Sequence, residues 1–311
     1  MQNKIIDIVS PDASEIEDIL FPVVTGTAHA MLPDGSLVES PDEKLVMGEG
    51  PDGFFPIKTV GRKFNAFPYG DVFAAMKEAI QGAAPDAKIA RAGLLDHGGR
   101  FFATWRLPVD ISPLGGDDET FPEITLRSAL NGKWKNSISF GAFRMICANG
   151  IVQYSLKEML LGFKRTLNAD LRIPEIGDAI AKALAGGETY KRDMSRLVEI
   201  PLAGPDMQAL VAGFFANGKG ELSTRARNIT SEIADGARNS PGTKGETAYD
   251  LLNGFTHHFS HSNGESEKSA AKWFDSQNFG SASRHKAEFA KALLGNRDEL
   301  LAKGRKALVA A

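Results

Sequence analysis

Between residues 124 and 172 the hydrophobic period changes from two to that of a helix, which restricts the chain to a fold where strands and a helix share one core. Residues 123–130 and 133–150 read as strand arms around Asn131-Gly132, the dipeptide best suited to the positive φ values of a type I′ turn. In the return arm the phase set by Ile138 and Phe140 shifts after Gly141 to Phe143, Met145 and Cys147. One extra residue at a glycine is the pattern of a β-bulge, which would re-aim Arg144 relative to Lys133 and Lys135. From residue 151 to 167 an apolar stripe through Leu156, Met159, Leu160, Phe163 and Leu167 predicts a helix, with Lys157 and Lys164 on another face.

A second pair of arms precedes this one. Residues 88–96 and 100–109 flank Asp96-His97-Gly98-Gly99, and Phe101, Ala103, Trp105 and Leu107 alternate with Phe102, Thr104 and Arg106. That alternation predicts Trp105 facing inward and Arg106 outward. Upstream, Val72, Met76 and Ile80 recur on one face of a predicted helix that Asp71 would cap and Gly82 would stop. Residues 1–60 carry short apolar pieces broken by Pro, Gly and acids, and read as an acidic arm with one or two strands. After residue 173 the pattern is helical, with separate segments at 176–185, 191–200, 207–216, 225–237, 247–259 and 285–311. The last carries six Lys or Arg against three acids, so a basic tail and a packed helix fit it equally.

The expected fold class is α+β: a twisted antiparallel sheet of two β-hairpins packed by helices at 71–81 and 151–167, with a mainly helical C-terminal half. The expected organisation is an acidic N-terminal arm over 1–60, an α+β core over 61–172, and a helical region over 173–311 packed on that core.

Charge is unevenly spread. The net charge is −3, yet residues 1–60 hold eleven Asp or Glu against three Lys, and residues 124–172 hold eight Lys or Arg against two acids. This asymmetry fits an anionic partner for the basic portion or docking of the acidic arm onto it, and fits an ordinary solvated surface equally well. No apolar run approaches the roughly 20 residues of a spanning helix, and the first residues are acidic, so a cytoplasmic protein with no membrane partner is expected. Cys147 is the only cysteine, which rules out an intrachain disulfide, and its neighbours Met145 and Ile146 point to a buried structural thiol.

Several spaced pieces carry a family likeness. They are Ala92-Gly93-Leu94 with Asp96-His97-Gly98-Gly99-Arg100 before an aromatic strand, and Arg144 with Cys147-Ala148-Asn149-Gly150. Then come Gly242-Thr243 followed by Asn253, Thr256 and His261, and Trp273 through Phe279-Gly280 to Lys286. In this order they resemble the phage and plasmid-like proteins grouped as domain of unknown function 932. Ser260 stands where that family usually has an acid before the late histidine, and the arm before residue 60 has no counterpart. The resemblance implies a mobile-element protein without an assigned reaction. The order of helix, paired hairpins and helix is in turn similar to the core of phage single-strand annealing proteins, which work as rings or filaments.

The residues themselves suggest where such a protein would grip its ligand. Arg106, Arg127, Lys133, Lys135 and Arg144 on strands, with Lys157, Lys164 and Arg165 on the helix, would line a groove for phosphates, and Trp134 would offer a stacking face. The competing explanation is that Trp134 caps the core while the lysines keep an edge strand soluble. His257 and His261 have i, i+4 spacing, but His258 occupies the place where a metalloprotease motif puts glutamate, so a structural or interface role is expected in place of a metal site. Asp117, Asp118, Glu119 and Glu123 form an acidic, Gly-rich loop better read as solvated surface than as a Mg²⁺ site. No Walker, dinucleotide-binding or nucleophile-elbow pattern occurs. The expectation is a non-enzymatic protein without metal or cofactor that self-associates and binds single-stranded nucleic acid, DNA before RNA. The alternatives are a structural or protein-interaction factor of a mobile element and, more weakly, a metal-dependent nuclease.

Overall fold

A computed structural model describes residues 4–7, 14–17, 19–114, 119–144, 161–163, 173–239, 244–261, 276 and 280–309. The chain divides into two compact units, the first of residues 1–108, 123–140 and 158–184, the second of 109–122, 141–157 and 185–311. The fold is α+β, with strands in the first half and mainly helices in the second.

The first unit begins with β1 (Lys4–Asp7) and the short α1 (Ser14–Glu17), followed by β2 (Val23–Met31), β3 (Leu37–Gly50) and β4 (Gly53–Gly61). These last three pair antiparallel as a separate sheet in the order β2-β3-β4, so the N-terminal sixty residues hold more strand than the one or two expected. Pro and acidic residues hid them: Pro41, Pro56 and the carboxylates sit on exposed strand surface, where neither disturbs a core.

The larger sheet runs β1-β5-β6-β7-β8-β9, with β5 (Lys88–Leu95), β6 (Arg100–Arg106), β7 (Thr120–Ala129), β8 (Asn136–Arg144) and β9 (Leu161–Phe163). Both hairpins form as expected, but β9 does not fit the expected helix over 151–167. Residues 161–163 pair antiparallel with Asn136–Ile138, and the remainder of that expected helix lies outside the described residues, as does Cys147. Leu161-Gly162-Phe163 satisfies a 3.6 period and a two-residue period equally, and Gly162 is a poor helix former, so backbone pairing with β8 decides.

Helix α2 (Tyr69–Ala83) covers one face of this sheet, with Tyr69, Val72, Phe73, Met76 and Ile80 buried. Phe73 stacks on Trp105 at 5.5 Å and Tyr69 on Phe101 at 5.3 Å, each pair worth about 0.5–1.5 kcal/mol beyond area burial. The helix starts two residues earlier than expected, with Pro68 at the N-cap position, so Asp71 lies in the first turn, where its charge meets the positive end of the helix dipole. Gly82 falls inside the helix and does not end it. The opposite sheet face is buried too: Phe102 and Thr104 are no more exposed than Phe101 and Trp105. Arg106 therefore points away from α2 but not into open solvent.

The second unit takes in the end of α3 (Ile173–Val198), then α4 (Gly204–Phe215), α5 (Thr224–Asn239), α6 (Ala248–His261), α7 (Ser281–Gly295) and α8 (Arg297–Val309). Two expected helices merge into α3, which runs through Gly186-Gly187. A Cβ on Gly187 would lie 3.2 Å from Ile111, so the glycine serves close packing and does not break the helix. Phe255 and Phe289 stack 4.0 Å apart at the centre of an aromatic cluster with Phe214 and Phe259. Thr247 and Asp250 form a capping box at the start of α6, where the Asp250 carboxylate accepts the Thr247 amide at 3.1 Å and hydroxyl at 3.0 Å. The last basic segment is packed helix, not tail: Ala307 on α8 is fully buried. Gly213 on α4 and Gly304 on α8 let these helices touch backbone to backbone, since a Cβ on Gly304 would run into the Ala209 carbonyl.

This crossing gives a direct test. Gly304→Ala should force α4 and α8 apart and lower stability by about 3 kcal/mol, whereas Gly177→Ala, with open space around its α3 position, should raise it by about 0.5–1 kcal/mol. Urea midpoints of the two variants against wild type measure both effects.

Candidate nucleic-acid interface

The tips of the two hairpins lie side by side in the first unit. Asp96, His97 and Gly98 all have positive φ, at 51°, 53° and 87°, and the Gly99 amide closes the turn on the Asp96 carbonyl at 3.0 Å. Asp tolerates this region, and Gly98 is required twice over, by its φ and by the Phe21 ring that a Cβ would meet at 3.0 Å. The second tip is wider than the expected type I′ turn. Strand pairing stops at Ala129 and resumes at Asn136, and only Gly132, at φ 71°, is left-handed. Asn131 instead uses its side-chain oxygen to accept the Lys133 amide at 3.0 Å, an Asx-type turn.

Backbone groups fasten the tips together. The Leu130 and Asn131 amides donate to the Gly99 carbonyl at 3.0 and 3.2 Å. The buried Tyr69 hydroxyl donates to the Gly98 carbonyl at 3.1 Å and accepts the Leu130 amide at 3.2 Å.

Onto this platform Asp96 gathers the charges. Its carboxylate lies 2.9 Å from Arg100 Nε and 3.0 Å from Lys133 Nζ, and accepts the Asn131 side-chain amide at 3.1 Å. Burial pushes the Asp96 carboxyl up, but the Lys133 ammonium and Arg100 guanidinium outweigh it and hold the group below its ordinary value. Arg100 in turn lies over the Trp134 ring, 4.5 Å from its centroid. From the smaller sheet, Lys58 Nζ donates to the Asn131 carbonyl at 2.8 Å. Arg100 and Lys133 thus meet at one carboxylate, Lys58 is bonded to the Asn131 carbonyl beside it, and Lys135 follows Trp134 in the same turn.

They are not equivalent. Arg100 is 9% exposed and cannot leave Asp96 without stranding a buried charge, which costs about 3–5 kcal/mol. Lys133 is 62% exposed, and such an ion pair contributes at most about 1 kcal/mol, so a phosphate can take this ammonium over. Lys58 and Lys135 are exposed as well. Arg100 and Asp96 hold the shape, and the three lysines are presented.

The other expected residues are distributed differently. Arg106 pairs at 3.1 Å with Glu123, which is fully buried, and their rung is six residues along β6 from Arg100, roughly 20 Å away. Between them Thr104 and Thr125 bond at 3.0 Å, and Arg127 stands across from Phe102, half-buried. Glu123 therefore lies buried on β7 in an ion pair and not in the solvated loop expected of it. Arg144 closes β8, with its side chain outside the described residues, where Lys157, Lys164, Arg165, Asp117 and Asp118 also lie. Lys133, Trp134 and Lys135 are thus brought together, and Arg106 and Arg127 are not joined to them. Lys58, Asp96, Arg100 and Asn131 were missed as site residues. Asp96 to Arg100 was legible only as a turn, and the contacts that give it meaning span 35 residues to Asn131 and, from there, 73 to Lys58.

In the second unit, His258 lies 3.2 Å from Glu232; burial lowers its pKa, and the nearby carboxylate only partly offsets this. The His261 side chain is outside the described residues. Among the described residues no three His, Cys, Asp or Glu side chains gather as a metal site, and no helix is long and apolar enough to cross a membrane. Lys286 on α7 is fully buried, with its ammonium 3.4 Å from the Ser260 hydroxyl on α6.

Asp96 ties stability to pH with a definite sign. Its depressed pKa means that its contribution is complete above the ordinary value of 3.8 and is lost as pH falls through the lower folded-state value. Asp96→Asn should cost about 2 kcal/mol at neutral pH, and the gap between its urea midpoint and that of wild type should close on acidification. A gap independent of pH would mean that the charge of Asp96 is not what stabilises the tips.

The family model described as domain of unknown function (DUF932) matches residues 56–293. No curated protein and no solved structure matches the chain. The matched stretch runs from β4 into α7 and includes every residue of the hairpin-tip cluster, from Lys58 to Lys135. The chain therefore belongs to the family of proteins with this domain of unknown function (DUF932).

Proposed function

We propose that this chain is a non-enzymatic nucleic-acid-binding protein of a phage, plasmid or prophage. It holds single strands, DNA in preference to RNA, during recombination or replication in the cytoplasm, and works as a homo-oligomer. The observation that carries this reading is the trio of exposed lysines, Lys58, Lys133 and Lys135, around Trp134 on a platform braced by Asp96 and Arg100.

The chemistry required is modest. A single strand offers a flexible row of phosphates, which compact ammonium groups on an exposed rim can meet without base-specific geometry. Arg100 already covers one face of the Trp134 ring, so phosphate contact is the larger contribution and base stacking the smaller one. Annealing then needs no bond chemistry, only a strand held with its bases accessible.

Fluorescence polarisation of a labelled single-stranded oligonucleotide across a salt series tests this. Three lysines on phosphates correspond to a slope of log affinity against log salt of about −2, at about 0.7 per phosphate for single strands. Lys58→Ala with Lys133→Ala and Lys135→Ala should bring that slope close to zero. A triple variant that keeps the wild-type slope would place the binding surface elsewhere, and no binding at low salt would end the proposal.

A further inference from the structure

The β2–β3 hairpin projects beyond the sheet that supports it. Pairing of β3 with β4 begins at Glu43 and Gly61, so Leu37 to Glu39 are paired only with β2, and every residue from His29 to Glu39 is exposed. This arm carries Met31 (76% exposed), Leu37 (67%), Val38 and Leu32 at its end, where Met31 pairs with Leu37 and Ala30 with Val38. Met31 and Leu37, directly paired, share one face of the tip and Val38 lies on the other, so both faces expose apolar side chains. Along the same arm stand Asp34, Glu39, Asp42 and Glu43, with no Lys or Arg between residues 29 and 43.

An acidic and apolar arm is complementary to a basic and aromatic surface, and the hairpin tips supply one in Lys58, Lys135 and Trp134. The arm cannot reach the tips of its own chain. Lys58 pairs with Val46 on β3, nine residues from Leu37 on the same continuous strand, so roughly 30 Å of extended backbone separates the two. Glu39 is further held toward Arg62, at 3.9 Å, and the Arg62 amide donates to the Asp42 carbonyl at 2.9 Å.

We infer that the β2–β3 arm of one copy docks on the hairpin tips of a second copy, joining like chains head to tail. The two surfaces differ, so the contact is heterologous and propagates into a ring or a filament. This rests on the reading of the hairpin tips as an anion-binding surface, but not on which anion binds there. Arm carboxylates and nucleic-acid phosphates contend for the same ammonium groups, so weakening the arm should raise oligonucleotide affinity.

Sedimentation velocity of the full chain without nucleic acid is the test. Wild type should show a mass that grows with protein concentration and falls with added salt. Glu39→Lys with Glu43→Lys on the arm, or Lys58→Glu with Lys135→Glu on the tips, should each give a monomer where wild type associates. All four side chains are exposed, so the fold tolerates the changes. Mixing the two variants should restore association, because each arm then meets a tip of opposite charge. A wild type that stays monomeric, variants that associate as wild type does, or a mixture as dissociated as its components would each overturn the inference. Association that follows this pattern in a protein with no affinity for oligonucleotide would leave the inference standing and end the nucleic-acid reading.

Discussion

The carboxylate of Asp96 is where the two hairpins are fastened into one surface. It sits in a turn of three successive left-handed residues, and it draws in a guanidinium from its own hairpin, and an ammonium and an amide from the other. The Tyr69 hydroxyl does the same for the backbone below, bridging Gly98 and Leu130. Because Tyr69 opens α2 and stacks on Phe101, the position of the tips is referred directly to the core between helix and sheet. The geometry of the rim thus follows from burial beneath it.

Exposure decides which charges build and which ones serve. Arg100 and Glu123 are buried in ion pairs, and removing either partner would leave a charge in an apolar setting. Lys58, Lys133 and Lys135 lie in water, where exchanging one weak anionic contact for another costs little. Arg100 and Arg106, on the sheet face opposite α2, are therefore structural in the described contacts.

The elements with local causes could be read from the sequence. Alternation around Trp105, the helical stripe through Val72, Met76 and Ile80, and the turn Asp96-His97-Gly98-Gly99 all report on neighbours within a few residues. Where a local signal was ambiguous the structure went the other way. Leu161-Gly162-Phe163 became strand because β8 offered backbone partners, and Gly186-Gly187 stayed helical because α3 needed a close approach to Ile111. Asn131-Gly132 widened from a tight turn because the Asn131 side chain was drawn to Asp96 and to the Lys133 amide. The site was legible only in part for the same reason. Lys133, Trp134 and Lys135 are contiguous in sequence, but the groups that orient them come from strands 35 and 73 residues away from Asn131.

That the hairpin tips hold a nucleic-acid strand is tested most directly by lysine acetylation footprinting. The protein is acetylated at a dilution where it is monomeric, with and without a single-stranded oligonucleotide, and modification at each lysine is read by mass spectrometry. Protection of Lys58, Lys133 and Lys135 is expected, with lysines of the helical unit such as Lys219 and Lys291 unchanged. Equal modification of the three with and without the strand, or protection confined to the helical unit, would contradict it.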